Sequence, residues 1–211
     1  MNDLETWAAV HAERAALAAA LADLTDEQWR TTSLCTELSV REVLAHMTAG
    51  ATLSFPRWFA GVLRHRFDFD AQVLMRLREQ LGESPAETLA LFRAGVERST
   101  TPFGRRGSAV WALAETLAHA EDVRRPLGIR RAYPVEVLTA VAEYYASTDT
   151  VVLAKGRIGG LRLVATDTSF RTGEGELVSG PTVALVMAMI GRAAYCDDLE
   201  GEGVAILLTR C

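Results

Sequence analysis

The chain has 211 residues, 49% hydrophobic and 23% charged, with a net charge of −5 and a pI near 5.5. This is enough chain for one large domain or two small ones with a buried core, and the acidic balance, without a long Lys/Arg run, argues against a nucleic-acid surface. Three cysteines, Cys35, Cys196 and Cys211, with no C-x-x-C spacing, indicate neither a disulfide framework nor a cysteine-based zinc site. The N-terminus has no basic stretch leading into an apolar one, and no apolar run reaches the ~18 residues of a membrane span, so the expectation is a cytoplasmic protein with no membrane partner.

From Leu4 to Leu24 apolar residues recur at helical spacing among many alanines, which predicts a first long helix. Thr25-Asp26-Glu27-Gln28 has the form of a capping box and predicts a short helix carrying Trp29 into the core, followed by a polar loop from Arg30 to Leu38. Ser39-Val40-Arg41-Glu42 is a second capping box, and Pro56 bends or ends its helix near Phe55. The aromatic and basic stretch Arg57 to Asp70 fits neither period well; it either walls a ligand pocket or packs on the helices, and packing is favoured. Ser84-Pro85-Ala86-Glu87 starts a helix running to about Ser99, and Thr100 to Gly107 reads as a loop. A fourth long helix spans roughly Ser108 to Arg124, and a fifth begins at Pro134. After Ser147 the pattern changes: strands are predicted at Leu161–Thr166, Glu176–Ser179 and Val204–Leu208, with a helix from Pro181 to Ala194 between the last two. The fold class is α+β, with a helical part over residues 1–150 and a small α/β domain over 151–211.

The fourth helix carries Glu115 and His119 four residues apart, hence one above the other on a single face, with Trp111 and Asp122 on that face too. Carboxylate and imidazole at that spacing can chelate a borderline divalent ion such as Zn²⁺, or simply form a solvated helix face. His46 shares a face with Val43, Gly50 and Leu53 and should point inward; a buried imidazole is most commonly satisfied by a hydrogen bond, with a metal as the alternative. Asp122 is placed either to orient a ligand histidine or to serve as a surface charge.

Leu24 to Trp29, Ser33-Leu34-Cys35, Ser39 to His46, Glu115 to Asp122, Val178 to Pro181 and Gly191-Arg192, in that order, resemble the mycothiol-dependent maleylpyruvate isomerase family, part of the DinB-like metalloenzymes of actinobacteria. The resemblance covers essentially the whole chain. It implies a DinB-like four-helix bundle of up-down-down-up connectivity with a C-terminal α/β domain, and a divalent metal, usually zinc, held by His46, Glu115 and His119. It also implies an active-site role for Arg192. One box departs from the family pattern Cys-x-Gly-Trp, because Glu37-Leu38 stands where Gly-Trp is common.

Three protein ligands leave a tetrahedral metal one open position, and with no cysteine expected among them an external thiol, mycothiol as cosubstrate, can occupy it and attack a small electrophile. Arg192 would neutralise an acidic substrate; the bland alternative is a helix-end arginine bonded to the last carbonyls or to Asp197 and Asp198. The reading is therefore a mycothiol-using S-transferase or isomerase, with a non-catalytic metal- or ligand-binding bundle as the alternative. The partners are a small thiol and an electrophile, and a homodimer stays open.

Overall fold

The computed structural model describes residues 1–35, 37–102, 108–150 and 152–211. Most of the predicted loop from Thr100 to Gly107 lies outside the described residues. By packing, the chain divides into two compact units, Asn2–Arg130 and Arg131–Cys211.

The first unit is built from α1 (Asp3–Ala20), α2 (Asp26–Arg30), α3 (Val40–Thr52), α4 (Phe55–Arg64), α5 (Phe69–Arg78), α6 (Pro85–Gly95) and α7 (Ala109–Arg124). Four of these form the bundle, in the ring order α1, α7, α3, α6. Local chemistry sets their starts. Thr25 and Gln28, and Ser39 and Glu42, make reciprocal capping boxes, and a third box, Asn2 with Glu5, opens α1. Ser84 caps α6 with Pro85 at its first position, and Ser108 caps α7. Leu17, Leu21, Trp29, Val43, Leu44, Phe92, Ala120 and Val123 close the core between these helices. Arg41 ties α3 to the turn before α6, donating to Thr88 Oγ1 at 2.9 Å and to the Leu81 and Gly82 carbonyls at 2.9 and 2.8 Å.

Helix α7 is buried on nearly every side, which its alanines permit by letting neighbours approach closely. Its polar residues are consequently interior ones. Arg124, 1% exposed, lies 3.8 Å from Glu121 and 3.9 Å from Glu13 of α1, so these charges neutralise one another inside the unit.

The stretch Arg57 to Asp70, unassigned by pattern, forms most of α4 and the start of α5, with Pro56 inside the first turn of α4. Phe55, Phe59, Leu63, Phe67 and Phe69 stay largely exposed within this unit, so packing accounts for only part of the segment.

The second unit contains α8 (Val135–Ser147), β1 (Leu161–Ala165), β2 (Arg171–Thr172), β3 (Glu176–Gly180), α9 (Thr182–Met189), a 3-10 helix (Ala193–Asp198) and α10 (Gly203–Leu208). The sheet order is β2-β1-β3, with β2 antiparallel and β3 parallel to β1. Leu161, Leu163 and Ala165 alternate inward along β1, and α9, apolar after its first residue Thr182, packs on the sheet. Helix α8, which a division at residue 150 would keep with the bundle, packs here on α9. The expected third strand over Val204–Leu208 is instead α10. A short apolar run suits either state, and burial at Gly203 and Leu207, four apart, shows the helical solution that lets α10 pack beside α9 and β3.

Candidate metal centre

His46 on α3 and His119 on α7 meet where these two helices pack, with ring centroids 4.9 Å apart and planes at 83°. One turn before His119, Glu115 places Oε2 3.6 Å from its Nε2. The three residues singled out in the sequence therefore gather around one imidazole. On its other edge, Asp122 Oδ2 lies 3.1 Å from His119 Nδ1, so Nδ1–H donates to a fully buried carboxylate. That bond fixes the tautomer and leaves Nε2 available on the side of Glu115.

The Cys35 thiol also lies beside the His119 ring, within 4.8 Å of one of its nitrogens. It arrives there on the loop before α3, which is pinned to α7 by the Leu34 N–H donating to the Asp122 carbonyl at 3.0 Å. The Ser33 hydroxyl accepts from Cys35 N–H at 3.0 Å, and Leu38 N–H donates to the Cys35 carbonyl at 3.0 Å. No cysteine is expected among the ligands from the sequence, and the structure brings Cys35 beside His119. Among the described residues, Cys35, His119 and Asp122 offer ligand atoms that all lie within 4.8 Å of one another. The sequence signal for Cys35 was present, since it heads the box preceding His46, but nothing in its spacing relates it to a helix some eighty residues on.

The two imidazoles titrate in opposite directions. Burial, and then the neighbouring His119 charge, push His46 down to about 4, against the pull of Glu115 and Asp122. Burial also acts against charge on His119, but the nearby Asp122, Cys35 and Glu115 outweigh it and hold the group well above 6.5. His46 is thus neutral near pH 7, the form that ligates a metal, while His119 carries a proton that a cation would displace. Among the described residues, the close cluster of Cys35, His119 and Asp122 supplies a thiol, an imidazole and a carboxylate, donor types that suit a borderline divalent ion.

Arg192 lies in the second unit, in the turn between α9 and the 3-10 helix, and its Nη1 donates to the Ile190 carbonyl at 3.3 Å. Gly191 before it has φ +93°, and a Cβ there would come within 2.9 Å of the Arg157 guanidinium. Arg157 itself donates to the Met189 carbonyl at 2.8 Å, closing the end of α9. Gly191 is therefore favoured by its left-handed backbone conformation.

No helix of the described residues is long and apolar enough to cross a membrane. No curated protein sequence matches the chain significantly. Among solved structures, the crystal structure of the mycothiol-dependent maleylpyruvate isomerase aligns with a TM-score of 0.65 at 16% identity, over 96% of this chain and 93% of that one. A histidine-to-alanine mutant of that isomerase aligns over the same shares, with TM-score 0.65 and 15% identity. This similarity establishes the shared fold: a DinB-like helical bundle followed by a small three-stranded α/β part. The model of the mycothiol maleylpyruvate isomerase N-terminal domain matches residues 10–138, more than half of the chain, and the protein belongs to that family.

Proposed function

We propose that the protein is a metal-dependent enzyme that activates mycothiol, or a thiol like it, for attack on a small electrophile, as an S-transferase or a maleylpyruvate-isomerase-like catalyst. The observation that carries this reading is the convergence of His46 and Glu115 on the His119 ring, with Asp122 at its Nδ1. Family membership supports the choice of thiol. His46, Glu115 and His119 would hold the ion, with zinc the best match to imidazole and carboxylate donors. A divalent ion so held lowers the pKa of a bound thiol and keeps it as the nucleophilic thiolate.

The protein's own groups then have separable tasks. Asp122 orients His119 and raises its basicity. His46, neutral by burial, needs no deprotonation to ligate. The family resemblance further gives Arg192, a permanent positive charge in the second unit, as the group for an acidic substrate. Three free thiols fit a reducing cytoplasm, where such a cosubstrate would be available.

Elemental analysis of wild-type protein beside His46→Ala and His119→Ala tests the proposal. About one zinc or similar ion per chain, lost in both variants, together with metal-dependent conjugation of mycothiol to an electrophile, is expected. A metal-free wild type after reconstitution would remove the mechanism. Stoichiometric metal without turnover across several thiols and electrophiles would favour the binding protein, which the altered Glu37-Leu38 box also favours.

A further inference from the structure

Each ring nitrogen of His119 offers one hydrogen or one lone pair. Nδ1 is taken by Asp122 at 3.1 Å, and Nε2 lies 3.6 Å from Glu115 Oε2. The Cys35 sulfur, a His119 ring nitrogen and an Asp122 carboxylate oxygen all lie within 4.8 Å of one another, tight enough for shared coordination. Its position is set by backbone bonds on both sides: Leu34 N–H to the Asp122 carbonyl and Leu38 N–H to the Cys35 carbonyl, each 3.0 Å. The loop is thus fastened to the very turn of α7 that carries the ligand histidine and its orienting carboxylate.

We infer that Cys35 enters the coordination sphere as a thiolate, so that the protein itself supplies a sulfur ligand beside His46, Glu115 and His119. The inference rests on the metal reading proposed above and goes beyond it. Thiolate is a strong ligand for zinc and cobalt and must lose its proton to bind, so the ion and an alkylating reagent compete for the same sulfur. The centre then has four protein donors from three segments: the loop before α3, α3 itself and α7. An incoming small thiol meets a position already held by a sulfur of the protein, which makes Cys35 a determinant of how readily a cosubstrate gains access.

Cobalt(II) loading of the full-length apoprotein gives the test, because thiolate ligation produces an intense near-ultraviolet charge-transfer band that nitrogen and oxygen donors do not. The band is expected in wild type and lost in Cys35→Ser, while the weaker visible bands of bound cobalt remain in that variant. Cobalt or zinc should also protect Cys35 from iodoacetamide in the wild type, read by peptide mass spectrometry with Cys196 and Cys211 as internal references. Stoichiometric cobalt with no charge-transfer band, or with the same band in Cys35→Ser, overturns the inference and leaves the His46, Glu115 and His119 site standing. Failure of wild type to bind cobalt or zinc at all overturns both.

Discussion

Replacing Asp122 with asparagine keeps the size of a fully buried side chain and removes the charge that faces His119 Nδ1 at 3.1 Å. Loss of such an orienting carboxylate typically weakens metal binding by about 10–100-fold, or roughly 1.4–2.8 kcal/mol. The pH dependence sharpens the expectation. In the wild-type apoprotein the carboxylate helps hold His119 well above 6.5, so at neutral and acidic pH a metal must displace a proton that Asp122→Asn does not retain. The full deficit of the variant should appear at alkaline pH, above the raised value, and narrow as the pH falls. Stability of the apoprotein follows from the same linkage. A raised folded-state pKa stabilises the fold fully below the unfolded value of 6.5, and that contribution is lost as the pH rises through the folded one. Asp122→Asn should therefore cost the apoprotein most at acidic pH. Competition titration against a chromogenic chelator and urea denaturation across pH measure the two effects. An affinity within about threefold of wild type at alkaline pH, or a deficit that grows on acidification, would refute the assignment of Asp122 as the group that orients His119.

His46, pushed down to about 4, makes the opposite contribution: apoprotein stability should rise as the pH climbs from about 4 to 6.5, by an amount of order 3 kcal/mol. Denaturation of His46→Asn should show that segment of the profile flattened, and an unchanged slope would count against burial of His46 as a neutral imidazole. Glu37 occupies a left-handed conformation, φ 62°, on the loop that carries Cys35; Glu37→Gly should gain about 0.5–1 kcal/mol by urea denaturation, and a loss would contradict the strained backbone. Gly191→Ala combines φ +93° with an approach of 2.9 Å to Arg157 and should cost roughly 1–3 kcal/mol, seen as a lower Tm. An unaltered Tm would show that the turn before Arg192 tolerates a side chain.

Much of the first unit was legible because its signals are local. A capping box needs only four consecutive residues, so Thr25 to Gln28 and Ser39 to Glu42 announced α2 and α3, as Ser84-Pro85 announced α6. The vertical alignment of Glu115 with His119, and of His119 with Asp122, likewise follows from helix geometry alone. Ambiguity entered where a short segment satisfies either period. Val204–Leu208 became helical because Gly203 and Leu207 bury together, and Arg57 to Asp70 divided into α4 and α5 although its aromatics are not all buried.

What the sequence by itself determined is thus the set of elements with strong end signals, and the pairings confined to one helix. Only the tertiary structure decided which helices share a face. It brought His46 to His119 across more than seventy residues, folded the loop of Cys35 onto the turn of Asp122, and gave α8 to the second unit by packing it on α9. The physical reason is that contacts between distant segments are selected by the burial of whole surfaces, which no spacing along the chain records.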